Sequence, residues 1–214
     1  MRSSSKRLMR RFLRMFFTHL YNAFAWSYDL VAWIVSLGKW DDWVAVAAEE
    51  IEGPRVLELG HGPGHLQVIL AEKGVMTTGI DLSPQMGRIA ARNLHKANLV
   101  DRLLQSQAQK LPFGSATFQQ VTATFPSEYI FEPNTLSEAY RVLVPGGQLV
   151  VLPVAWITGD KWYERFAAWL FKITGQAPIP NKKMIQPFKN AGFSVCEKWI
   201  KKEGWEAFFI LAKK

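Results

Sequence analysis

The sequence is short of cysteine, of long apolar runs and of basic residues along its body. Its single cysteine, Cys196, excludes a disulfide framework and any zinc cluster built on paired cysteines. No metal site is expected, and a reducing, cytoplasmic setting is the simpler one. A transmembrane span over residues 15–37 would have to take in His19, Asn22 and Asp29. A secretory signal would be broken by Arg14, Thr18 and His19. Residues 1–14 carry six bases and no acid, and residues 182–214 carry eight lysines against three glutamates. The stretch between holds 12 bases and 15 acids, so the net charge of +8 belongs to the ends. That distribution excludes a basic nucleic-acid groove on the body and suits an anionic surface met by the termini.

The chain has 214 residues, enough for one domain with appendages. Apolar residues make up 49% and charged residues 21%, which rules out a disordered chain. Residues 1–50 form an N-terminal amphipathic, helical lead-in, and residues 51–214 the ligand-binding domain. In residues 6–24 a basic stripe (Arg7, Arg10, Arg11, Arg14) runs beside an apolar one (Leu8, Phe12, Met15, Phe16) at helical spacing. Two readings stay open there: a helix lying peripherally on a membrane, or a helix packed on the body with its bases in water.

From residue 54 onward strands and helices alternate. Arg55–Leu59 reads as a short apolar strand, 66–73 as a helix stopped by Gly74, and Met76–Ile80 as a second strand. Ser83-Pro84 places an N-cap before proline at the first helical position, with the helix running to about His95. Strands are expected at 103–107 and 120–125, and a helix from Asn134 or Thr135 to Leu143. A tight turn at Pro145-Gly146-Gly147 leads into a strand at 148–152. Strands separated by helices imply right-handed crossovers and a parallel sheet. The tail differs, with a helix at 184–191 and two strands, 194–201 and 206–212, joined through Gly204 as an antiparallel hairpin at the sheet edge. Cys196, inside one of them, is expected to pack.

Glu58-Leu59-Gly60-His61-Gly62-Pro63-Gly64 follows the first strand and opens the first helix, where open α/β sheets bind ligands. The dinucleotide fingerprint would place its third glycine at position 65, which is His65. No Lys-Ser/Thr pair follows, so a phosphate-binding loop is excluded too. The expected ligand is a nucleoside without a pyrophosphate. Asp81 ends the second strand, where a carboxylate accepts from both hydroxyls of a ribose.

Four stretches resemble the class I S-adenosylmethionine-dependent methyltransferases of the type 11 kind: VLELGHGPG, GIDLSPQM, AQKLPF and EAYRVLVPGGQLVVL. A narrower likeness joins FAWSYDLVAWIVSLGKWDDW, residues 24–43, to the ubiquinone/menaquinone-biosynthesis C-methyltransferases, through Tyr28-Asp29, Ser36 and Gly38. Two positions depart from that pattern. Gln107 stands where an aspartate commonly accepts from the adenine amino group, and its amide oxygen still accepts. Phe125-Pro126-Ser127-Glu128-Tyr129 replaces a Gly-x-Arg-Asn stretch that faces the acceptor in the quinone enzymes.

Pattern and resemblance together imply an α/β, Rossmann-like doubly wound, mostly parallel sheet with an antiparallel C-terminal strand, plus N-terminal helices. The resemblance implies S-adenosyl-L-methionine as cofactor and S-adenosylhomocysteine as product. Gly60, Gly62 and Gly64 are expected against the methionine part, with Glu58 and His61 beside them. Asp81 is expected on the ribose, Leu82 and Met86 on the adenine faces or else in the core, and Gln107 and Ala108 on the adenine edge. Thr124 is expected at the junction with the acceptor, and Tyr28 in a segment folding over the cofactor. Gly-loop acids and histidines also serve as structural caps, so Glu58 and His61 keep that alternative. A base is needed only if the acceptor loses a proton; His61, His65, Glu128 and Tyr129 are the candidates.

Seven of nine tryptophans lie outside the nucleotide-binding core: Trp26, Trp33, Trp40 and Trp43 before it, and Trp156, Trp162 and Trp169 in an expected aromatic helical insert at 153–180. Two aromatic segments suit a hydrophobic acceptor pocket, or pack on each other. The reading is a methyltransferase for a small hydrophobic, lipid- or quinone-like acceptor. The rival is a non-catalytic module of the same fold that engages a protein or membrane partner.

Overall fold

A computed structural model describes residues 36–158 and 182–214 of the chain, without the side chains of Lys182 and Lys183. The basic stripe of residues 6–24, Tyr28 and most of the aromatic insert lie outside the described residues. The ordered elements are α1 (Trp40–Glu49), β1 (Arg55–Leu59), α2 (His65–Glu72), β2 (Met76–Asp81), α3 (Pro84–Lys96), β3 (Leu103–Gln105) and β4 (Phe118–Thr124). A 3-10 turn (Glu128–Phe131), α4 (Pro133–Val142), β5 (Leu143–Ile157), α5 (Lys182–Asn190), β6 (Ser194–Lys202) and β7 (Trp205–Lys213) complete them.

The seven strands form one sheet in the order β3-β2-β1-β4-β5-β7-β6. Strands β1 to β5 are parallel neighbours, and β7 runs antiparallel to both β5 and β6. Parallel strands need cover on both faces, and the burial supplies it. Leu57, Leu59, Val121, Leu149, Phe208 and Ile210 pack with Leu136 of α4 and Phe188 of α5. On the opposite face Val56 packs with Leu66 and Leu70 of α2 and Val44 of α1, while Val150 and Phe209 pack with Trp43. Strand order reverses between β1 and β4, and the ligand crevice of such sheets opens at their carboxyl ends there. The register sets Leu59 beside Ile80, so the glycine loop after β1 and Asp81 at the end of β2 emerge together.

Several expectations are corrected. The predicted edge hairpin forms, but the strand that closes the sheet, β6, runs parallel to β1–β5, and the antiparallel β7 lies inside. Because β6 is an edge, Cys196 is exposed there rather than packed. Trp156 lies in β5 and stacks on Trp199 of β6, with ring centroids 5.5 Å apart. Residues 153–157 of the expected insert are therefore strand, and 159–180 lie outside the described residues. Strand β3 stops at Gln105 and leaves Gln107 in the following turn.

Pro145-Gly146-Gly147 is not a turn before β5 but an irregularity within it. Leu143 pairs with Phe118, and regular pairing resumes at Gln148 with Gln120. Gly146 takes φ +76°. A β-carbon on Gly147 would lie 2.9 Å from the carbonyl oxygens of both Gln119 and Val144. Those are backbone atoms of two paired strands, so they cannot swing aside. Gly147→Ala is therefore expected to lower the unfolding free energy by about 1–3 kcal/mol in urea titrations. An unchanged midpoint would dispose of the steric account.

Candidate active site at the carboxyl ends of β1, β2 and β4

Strand β1 delivers Leu59 into a loop with three left-handed glycines: φ is +72° at Gly60, +52° at Gly62 and +86° at Gly64. L-residues enter that region at a cost of roughly 1–2 kcal/mol each, so the loop needs residues without side chains. Backbone bonds tie it to β2, with the N–H groups of Gly60 and His61 both donating to the Ile80 carbonyl at 2.8 and 3.1 Å. Two of the three glycines are closed against the protein. A β-carbon on Gly60 would lie 2.6 Å from the Tyr129 hydroxyl, and one on Gly64 would lie 2.8 Å from the Ala90 β-carbon. Gly62 differs, for among the described residues no atom beyond its chain neighbours lies within 4 Å of where its β-carbon would be. The loop thus presents open space at its middle glycine.

Asp81 fixes that glycine. Its Oδ2 accepts from the Gly62 N–H at 3.0 Å, and its Oδ1 accepts from the Ser83 N–H at 2.8 Å. Each oxygen keeps a lone pair for another donor. Ser83 in turn caps α3, its hydroxyl accepting from the Met86 N–H at 3.4 Å. One half-buried carboxylate therefore organises the glycine loop and the start of the next helix.

The other expected residues divide. Leu82 is 63% exposed at the crevice edge, whereas Met86 is 1% exposed and belongs to the core. The expected adenine-facing pair is thus separated: Leu82 stands open and Met86 does not. Gln107 is exposed and Ala108 buried in the turn after β3. That turn is clamped to α4, because Glu138 accepts from the Leu111 N–H at 2.7 Å and Arg141 donates to the carbonyls of Phe113 and Leu111 at 2.8 and 3.2 Å. Arg141 also pairs with Glu138 at 2.6 Å, and this bond draws the Glu138 carboxyl below its ordinary range. Thr124 ends β4 half-buried, and after it Phe125 packs on Trp40 and Trp43, with ring centroids at 4.7 and 5.8 Å.

The candidate bases divide as well. His61 is 4% exposed. Its Nδ1–H donates to the Gly62 carbonyl at 2.8 Å, and burial, opposed by the Asp81 charge, holds its pKa below the usual value. It is a neutral structural imidazole, its Cδ2 in the way of any β-carbon at Gly79. Tyr129 donates its hydroxyl to the Leu59 carbonyl at 2.9 Å. His65 is the first residue of α2. Glu128 is exposed at the start of the 3-10 turn.

Residues 56–147 match the family described as "Methyltransferase domain". That match takes in the glycine loop, Asp81 and β4. It is 35% identical over 139 residues to a demethylmenaquinone methyltransferase of Thermus thermophilus, an alignment covering 62% of this chain and 63% of that one. It is 32% identical over 155 residues to the ubiquinone/menaquinone biosynthesis C-methyltransferase of Xanthomonas campestris, covering 68% and 60%. The chain therefore spans about three-fifths of the length of these curated relatives. An S-adenosylmethionine-dependent methyltransferase structure from Thermotoga maritima superposes with TM-score 0.62 at 18% identity, over 92% of this chain and 98% of that one. That likeness is one of fold, and the fold is the Rossmann-like one expected.

The crevice also uses residues that no motif announces. Gln67 donates to Glu58 at 2.6 Å, and Asn93 donates to the Pro63 carbonyl at 3.0 Å. Both are ordinary polar residues of helices, and only their position over the loop distinguishes them.

Glu58 is 1% exposed and sealed under α2. Burial pushes its pKa up to about 7, against the opposing Gln67 hydrogen bond and with help from the Asp81 charge. An acid with a raised folded pKa binds its proton more tightly folded than unfolded. Its contribution is complete below the unfolded value of 4.5 and is lost as pH rises through about 7. The loss is of the order of ~3 kcal/mol. Glu58→Gln keeps an acceptor for Gln67 without the charge. The variant is expected to melt above the parent near pH ~8 and close to it near pH ~5. An offset of equal size at both values would show that Glu58 does not titrate in this window.

Proposed function

We propose that this chain is an S-adenosylmethionine-dependent methyltransferase acting on a small hydrophobic acceptor, of the lipid or quinone type. One observation carries the reading: a carboxylate at the end of β2 bonds the middle, open glycine of the loop after β1. A nucleoside needs those two features side by side, a ribose acceptor and bare backbone. The open space at the Gly62 β-position, where no atom of the described residues beyond its chain neighbours comes within 4 Å, is the fit test the cofactor has to pass. Asp81 holds the ribose hydroxyls with the lone pairs its backbone bonds leave. Leu82 covers the adenine, and Gln107 and Ala108 meet its edge. Thr124, at the end of β4, lies toward the acceptor.

When bound, the cofactor supplies a methyl group already activated on a sulfonium. The chain then has to align the acceptor and keep water out. Trp40, Trp43 and Phe125 supply an apolar wall beside the end of β4. Charge is neutralised in the transfer, so such a wall does not oppose it. If the acceptor must lose a proton, Glu128, an exposed residue at the start of the 3-10 turn, is the candidate. The names of the demethylmenaquinone and ubiquinone/menaquinone relatives support a quinone-like acceptor. Anionic membrane contact through the basic residues 1–24 belongs to the same proposal.

Titration calorimetry with S-adenosylmethionine tests the reading. The parent is expected to bind and Asp81→Asn to bind at least ~10-fold more weakly, because an amide presents a donor to one of two backbone N–H groups. A parent with no affinity would favour the non-catalytic module. Flotation with anionic liposomes checks the membrane part. Binding is expected for the parent and loss on deleting residues 1–14; a parent that stays at the bottom of the gradient removes it.

A further inference from the structure

The 3-10 turn after β4 reaches back across the crevice at one point. Tyr129, at its second position, donates its hydroxyl to the Leu59 carbonyl at 2.9 Å. The same hydroxyl would lie 2.6 Å from a β-carbon on Gly60, so it fills the space a side chain would need there. The ring carbons would stand farther off, at 3.6 and 3.9 Å, which is ordinary contact. A single oxygen therefore both caps the last β1 carbonyl and seals the first glycine of the loop. Gly60 is left-handed, and its N–H already donates to the Ile80 carbonyl on the other side. The first loop residue is thus held between β2 and the segment that follows β4.

We propose that Tyr129 is a positioning residue. Its hydroxyl fixes the Leu59–Gly60 turn and so couples the acceptor-side segment after β4 to the loop that receives the cofactor. The role rests on the methyltransferase reading above. It departs from a base role, since the phenol proton is committed to a carbonyl. Movement of residues 125–131 on acceptor binding shifts Gly60 through this contact, and cofactor binding shifts those residues in return.

The experiment is a double-mutant cycle read by calorimetry with S-adenosylhomocysteine. Tyr129→Phe removes only the oxygen and is expected to weaken binding roughly three- to tenfold. Gly60→Ala is expected to weaken it more, because its β-carbon meets that oxygen. The double variant is expected to be less impaired than the two losses combined, since the oxygen is gone and only the backbone strain remains. Losses that simply multiply, or a Tyr129→Phe protein that binds like the parent, overturn the proposal. A fold-level role alone would lower the melting temperature without this rescue. Amide hydrogen exchange without ligand gives a separate reading. The Gly60 and His61 N–H groups are expected to exchange faster in Tyr129→Phe, and unchanged protection overturns the coupling. A parent that does not bind S-adenosylhomocysteine, with faster exchange in the variant, would instead overturn the methyltransferase reading and leave the contact standing.

Discussion

The Asp81 carboxylate is the constraint on which the crevice depends. Two backbone N–H groups, from Gly62 and Ser83, converge on its two oxygens. Hydrogen bonds to an ionised acceptor are about twice as strong as neutral ones, so the Asp81–Gly62 bond is among the strongest that hold the loop. Its position follows from strand register, because β1 and β2 end level with each other. The loop is thereby set in a left-handed course before any ligand arrives. Preorganisation of this kind removes an ordering cost from binding.

Around that centre the loop is closed on two sides and open on one. Gly60 is sealed by Tyr129 and Gly64 by Ala90 of α3, whereas nothing beyond its chain neighbours closes Gly62 among the described residues. Three glycines therefore answer to three different demands. At Gly64 and Gly60 the demand is close packing against another element. At Gly62 it is access for something outside the protein. The buried Glu58 and His61 lie beneath this surface. Burial disfavours the charged form of both, pushing the Glu58 pKa up to about 7 and holding that of His61 below its usual value.

Much of this was legible in the sequence, and the reasons differ by element. The G-x-G-x-G spacing and the strand-end acid mark the crevice because glycine and aspartate are constrained there by the backbone itself. Ser83-Pro84 marks the start of α3 because capping is local chemistry. Elements whose identity depends on partners were less legible. The bulge at Pro145-Gly146-Gly147 reads as a turn, since its signal is the same; only pairing of Leu143 with Phe118 makes it part of β5. Met86 keeps the helical spacing of a face residue, yet α3 turns it into the core. Cys196 alternates like a packed strand residue, and exposure follows from β6 lying at the edge, which no local pattern encodes. The Gln67–Glu58 and Tyr129–Leu59 bonds join residues far apart in the chain and leave no motif behind.

Phe125 shows how the segment after β4 is held in place. It is a bulky residue at φ +47°, immediately after β4. Its N–H still donates to the Leu152 carbonyl at 2.7 Å, so sheet pairing continues to this residue and the chain turns sharply after it. Left-handed backbone costs a non-glycine residue roughly 1–2 kcal/mol. Glycine would avoid that cost but would forfeit the contacts with Trp40 and Trp43. Aromatic pairs contribute about 0.5–1.5 kcal/mol each beyond area burial, so two of them offset the strain. The consequence is geometric. The sharp turn at Phe125 brings the 3-10 helix back over the end of β1, where Tyr129 meets Gly60. The aromatic wall and the cofactor loop are thus positioned by one strained residue and the stack that holds it.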